Sequence, residues 1–147
     1  MVDIFVPFPT TVVRAEVLLA AGGFDEKLSM SIDYDLWLRI SIDHKFAYIR
    51  EPLANYRIWA GQMSHRTGER LENFFRLLER FLARYPDVVT KQEKDVAWAH
   101  VHVTRGAWHA REGRRVEAMQ DYLRAMRLHF FDLRVWKRTA ALLLNRG

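Results

Sequence analysis

From Arg66 to the end of the chain, apolar residues recur every three or four positions, and few residues interrupt that rhythm. Such spacing puts one apolar stripe on each helix and forces the stripes to pack on one another. Leu71, Phe74, Phe75, Leu78, Phe81 and Leu82 form the first stripe, and Tyr85-Pro86 ends that helix, because the residue before proline is pushed out of the helical region. The spacing predicts further helices over Glu93–Arg111, Val116–Leu128 and Leu133–Asn145, with Glu112-Gly113-Arg114 as a turn. His100-Val101-His102-Val103 alternates as a strand would, inside the second of these helices. On the last helix Leu133, Trp136, Ala140 and Leu143 share one side.

The first 64 residues are punctuated differently, by Pro7, Pro9, Gly22-Gly23, Pro52 and Gly61. Phe8–Val13 reads as a short extended segment and Arg14–Ala21 as a short helix stopped by Gly22. Ser31 is placed to cap a second helix, with Asp33 in its first turn and Ile32, Leu36, Trp37 and Ile40 at helical spacing. Lys45–Ile49 and Leu53–Ile58 read as two short strands. The expected fold is therefore mainly α, of α+β type, divided into residues 1–64 and 65–147 with the break near Ala60–Thr67.

Composition narrows the function classes. The chain has no cysteine, which excludes disulfides, thiolate metal sites and cysteine nucleophiles and fits a reducing compartment. No apolar run approaches the ~20 residues of a membrane span, and Met1-Val2-Asp3 does not open a secretory signal. Charge is uneven: residues 1–60 carry 6 Lys+Arg and 8 Asp+Glu, whereas residues 61–147 carry 17 and 10. The basic excess reads as solvated helix faces with ion pairs such as Glu72 with Arg76, and its rival reading is a surface for acidic lipid or nucleic acid. No nucleic-acid-binding motif is present. His102 and His109 share a helix face at i, i+7, a spacing unsuited to a metal site, and no nucleophile elbow or phosphate loop occurs.

Three stretches in order, Gly22-Gly23-Phe24-Asp25-Glu26, Asp33-Tyr34-Asp35-Leu36-Trp37-Leu38-Arg39 and Glu51-Pro52-Leu53-Ala54-Asn55-Tyr56-Arg57, followed by Gln62-Met63-Ser64, resemble the C-terminal portion of family 2 glycosyltransferases of the GT-A fold. The resemblance covers about residues 5–64. It implies sugar transfer from a nucleotide-sugar with inversion, Asp33 as general base, and Asp35, Trp37 and Arg57 at the substrate site. A positioned carboxylate suits that chemistry, because the acceptor hydroxyl must lose a proton as it attacks. The residues also carry plainer readings: Asp33 as a first-turn acid, Asp35 with Arg39 as a surface i, i+4 ion pair, Trp37 as core, and Asp25 as a turn holder.

The resemblance has departures and a gap. Ile32 stands where the family commonly has Glu, and Trp59 where many relatives have His; both bear on activity and on metal assistance. The family's nucleotide-binding half ends in an Asp-x-Asp motif that holds a divalent cation, Mg or Mn, against the diphosphate. Asp33-Tyr34-Asp35 has those letters but falls inside the helix motif. No cofactor is expected within these residues, and the expected partners are the missing nucleotide-sugar-binding half, a glycan or lipid-linked acceptor, and a second copy through exposed apolar surface. The expected location is cytoplasmic, including the inner face of the membrane. Without the donor half the chain is expected to be inactive, and the alternative is a non-catalytic helical interaction module that retains a decayed transferase segment.

The helical part carries a second, shorter resemblance. Gly106, Gly113, Ala118, Tyr122 and Ala125 are spaced as in a tetratricopeptide helix pair, over about His102–Phe130. There small residues let two antiparallel helices approach and an aromatic fills the gap. One such unit needs neighbours to cover its faces, here Val88–Val101, Leu133–Leu144 or another subunit.

Overall fold

The computed structural model describes residues 6–62 and 65–144. A 3-10 turn at Phe8–Thr10 precedes six helices among the described residues: α1 (Ala15–Ala20), α2 (Ile32–Ile40), α3 (Thr67–Arg84), α4 (Lys91–Arg111), α5 (Arg115–Leu128) and α6 (Leu133–Leu144). Met63-Ser64 of the quoted motif and Asn145 of the predicted last helix lie outside the described residues.

The mainly α expectation holds, but the β elements do not. Residues 45–49 and 53–58 run as irregular chain, with no strand among the described residues. Their β-branched and aromatic pattern suits a pleated surface, yet a strand needs a neighbouring strand to satisfy its backbone, and none lies alongside. Phe8–Thr10 is likewise a 3-10 turn, because Pro7 and Pro9 favour a turn over a ladder.

The tail is a stack of antiparallel helices. Its core is Ala99, Val103, Ala118, Tyr122, Ala125, Val135 and Leu142. The α4–α5 pair is in tight contact at Gly106, Ala118 and Tyr122, three of the residues of the tetratricopeptide-like spacing. A Cβ on Gly106 would stand 2.7 Å from Tyr122 Cε1 and 3.2 Å from the Ala118 carbonyl oxygen, so the site has room for glycine alone. Gly68 of α3 meets Trp108 of α4 just as closely, with 2.6 Å between a built Cβ and the indole ring. Gly113 takes φ 74° in the turn, a left-handed conformation that glycine adopts without cost. α3 packs on α4 of this pair, and α6 packs on both α5 and α4.

The start of α4 lies two residues before the expected one. Thr90 accepts the Glu93 N–H at 3.2 Å, and the Glu93 carboxylate accepts the Thr90 N–H at 2.7 Å. This capping box satisfies two otherwise orphaned donors. Ser31, by contrast, occupies the N-cap position of α2 in a left-handed conformation (φ 59°) and makes no side-chain cap bond.

One buried carboxylate organises the polar part of the tail. Asp121 of α5 is 2% exposed and accepts hydrogen bonds from Arg105 Nε at 2.8 Å and Nη2 at 2.6 Å, with His102 Nδ1 at 2.8 Å. His109 Nε2 stands 3.8 Å away, so the histidines that share a face of α4 both turn to this carboxylate. The Arg105 guanidinium also lies over the Phe75 ring of α3 at 3.9 Å, which ties three helices together. Burial alone would raise the Asp121 pKa, but Arg105 and His102 outweigh it and hold it at about 2. Burial, aided by the Arg114 charge, pushes the His109 pKa below its ordinary value.

Both shifts have the same sign for stability. A depressed carboxylate stabilises the fold above its unfolded pKa of about 3.9 and loses that contribution as pH falls toward its folded value. A histidine kept neutral begins to oppose folding as pH drops below about 6.5. Urea melts from pH 7 to pH 2 are expected to show stability declining first below about 6.5 and again from about pH 4 to pH 2. Asp121→Asn is expected to be less stable at pH 7 and to lose much of the second decline. Parallel profiles for the two proteins would show that Asp121 does not carry it.

Candidate functional site

The N-terminal third is built around the turn after α1. The Gly23 N–H bonds the Leu18 carbonyl and the Gly22 N–H bonds the Leu19 carbonyl, both at 3.0 Å. This pattern of crossed bonds caps a helix C-terminus and needs left-handed residues, here Gly22 (φ 78°) and Gly23 (φ 68°). Asp25 holds the next turn, its Oδ1 accepting the Lys27 N–H at 3.0 Å.

Helix α2 is tied to that turn by its own arginine. Arg39 donates to Asp35 Oδ2 from Nε at 2.9 Å and from Nη2 at 2.7 Å, and it also donates to the carbonyls of Ala21 and Gly23. The other oxygen of Asp35 accepts from Arg80 of α3, whose second nitrogen bonds Asp25 Oδ2 at 2.8 Å. Asp35 is 6% exposed. The expected surface ion pair is therefore an interior junction, joining α1, α2, the Asp25 turn and α3. The Lys27 N–H and then Arg80 draw the Asp25 pKa below the carboxylate range. Arg80 is held above its ordinary value by Asp35 and Asp25, against the opposing effect of burial.

The four residues assigned from the family resemblance do not converge. Asp33 lies half-buried in the first turn of α2, where its Oδ1 accepts the Tyr34 N–H at 2.9 Å. Trp37 is buried with Leu36 and Ile40 against Val13, Val17 and Leu18. Its ring meets Phe46 edge-on at 6.3 Å, and its indole N–H is buried without a hydrogen-bond partner. Arg57 is exposed in the irregular stretch. Only Asp35 reaches the groove of about 700 Å³ that runs between α1, the Gly22–Lys27 turn, α2 and α3. Phe24, Phe81 and Tyr85 give that groove its aromatic walls, and Lys27, Arg39, Arg80 and Arg84 its cations. Sequence reasoning missed Arg80, because a partner 45 residues away leaves no spacing pattern.

The residues present do not fit the divalent cation of the complete family. Asp33 and Asp35 are two apart on a helix and so face opposite sides. Asp35 is already occupied by two guanidinium groups. No group of three or more ligating side chains that could hold a metal occurs among the described residues. No protein-family model, curated protein or solved structure matches the chain.

The two aspartates of α2 are expected to differ sharply when truncated. Asp35→Ala leaves the part-buried Arg39 without its carboxylate and is expected to cost about 3 kcal/mol, as for breaking other buried pairs. Asp33→Ala removes one first-turn acid and is expected to cost within about 1 kcal/mol. Chemical denaturation of both variants checks the ratio, and equal costs would mean the junction is not the stabilising feature.

Proposed function

We propose that residues 1–64 form the acceptor-side end of a family 2 glycosyltransferase, with Asp33 as the general base and the helical tail as its brace. The observation that carries this reading is the stretch from Phe46 to Trp59. It has the composition of paired strands, yet Phe46, Tyr48, Ile49, Leu53, Tyr56, Ile58 and Trp59 are between 37% and 76% exposed. Such a stretch is consistent with a sheet supplied by a nucleotide-sugar-binding half. The junction at Asp35 supports the same reading. It engages Asp35 and Arg39 structurally and leaves Asp33 outside the ion network, on a helix the junction holds in place.

In this mechanism the acceptor hydroxyl gives its proton to the Asp33 carboxylate while its oxygen attacks the anomeric carbon. The bond from that carbon to the nucleoside diphosphate breaks, the diphosphate leaves with the bonding electrons, and the configuration inverts. The divalent cation and the donor belong with the nucleotide-binding half, and the acceptor is a glycan or lipid-linked sugar.

A second reading, a helical interaction module with a decayed transferase segment, is favoured by Ile32 and Trp59 at the two departing positions. Nucleoside diphosphate release separates the two. Joined to a nucleotide-sugar-binding half, the chain is expected to turn over, and Asp33→Asn to slow transfer by roughly a hundredfold or more with its helical circular dichroism unchanged. Transfer by the Asn variant near the parental rate removes Asp33 from the base role. Absence of transfer in the joined parental chain favours the interaction module.

A further inference from the structure

Helix α6 carries more apolar surface than the fold uses. Val135, Thr139 and Leu142 face the core, whereas Leu133 (70% exposed), Trp136 (43%), Leu143 (51%) and Leu144 (82%) face outward with Ala140. At 100° per residue these outward positions form one stripe beside the buried one. The chain entering α6 extends the stripe with Phe130 (59% exposed) and Phe131 (86%). The aromatic end is preorganised: Trp136 Nε1 donates to the Phe130 carbonyl at 2.8 Å, and the Phe130 ring meets Trp136 and Phe131 edge-on at 5.2 and 5.6 Å. A contiguous exposed apolar patch of this kind marks a contact surface.

The charges around the patch select its occupant. Between Tyr122 and Leu144 the basic residues are Arg124, Arg127, Arg134, Lys137 and Arg138, and the only acid is Asp132. Asp132 is 7% exposed and bound by Arg134. The segment thus combines an exposed apolar and aromatic stripe with basic residues, and none of its residues is an exposed carboxylate. A second copy would set these cations against their own kind. An anionic bilayer matches both features, since aromatics and leucines enter the headgroup boundary while Lys and Arg meet the lipid charge. No helix among the described residues is long and apolar enough to cross a membrane, so the contact is one of lying on the surface. We propose that the Phe130–Leu144 face of the tail docks on an anionic lipid surface. The proposal does not depend on transferase activity.

The test is sedimentation of the full chain with vesicles of phosphatidylcholine alone and with phosphatidylglycerol added at roughly a 2:1 ratio. Binding is expected to the mixed vesicles and to weaken as salt rises. The double variant Phe131→Ser, Leu144→Ser alters two solvent-facing side chains and is expected to weaken binding by about tenfold or more, with circular dichroism unchanged. Lys137→Glu is expected to weaken binding to the mixed vesicles selectively. Equal binding to both vesicle types overturns the charge match. Absence of vesicle binding overturns the proposal; a concentration-dependent dimer in that case assigns the face to a second copy, and retention on immobilised polyglutamate assigns it to an acidic protein.

Discussion

The Asp35 carboxylate joins α2 to α3 and to the turn after α1. It is buried, and each of its oxygens meets a different guanidinium: Arg39 from its own helix and Arg80 from α3. Through Arg39 it reaches the carbonyls at the end of α1, and through Arg80 it reaches the Asp25 turn. A carboxylate buried this deeply is tolerable only when its lone pairs are filled by charged donors. That requirement orients α2 on the tail, aided by the Tyr34 ring against Phe74 at 4.6 Å. The tail repeats the same solution at Asp121, which gathers His102 and Arg105 onto one oxygen pair.

The two aspartates of α2 are engaged differently. Asp33 and Asp35 are two residues apart, yet they face different surroundings because the helix turns by about 200° between them. One is spent on structure and the other is left half-buried in the first turn. The stretch after α2 and the outer stripe of α6 both leave large apolar side chains exposed. The first has the residue pattern of strands and the second that of an amphipathic helix.

Much of the helical architecture was legible because period and small-residue spacing are local. The Gly106, Ala118 and Tyr122 spacing anticipated the close approach of α4 and α5, and Asp25 anticipated its turn. The strands at 45–49 and 53–58 were misread because pairing is non-local: composition shows that a segment suits a sheet, not that a partner strand is present. On α6 two apolar sets, Leu133 with Trp136 and Val135 with Leu142, compete for the core, and only packing against α5 decides between them. The Thr90-to-Glu93 box was a readable start signal that the apolar rhythm alone did not reveal. The roles of Arg80 and Asp121 depend on partners from other helices and left no pattern to read.

The claim that one buried carboxylate couples the N-terminal third to the tail is tested most directly by a double-mutant cycle. Asp35→Asn, Arg80→Gln and the double variant would be unfolded in urea alongside the parent chain. The account predicts a coupling of about 1–3 kcal/mol between the two positions, as for residues in one ion network. Effects that add to within about 0.5 kcal/mol would contradict it, and α2 would then be held by its apolar face alone.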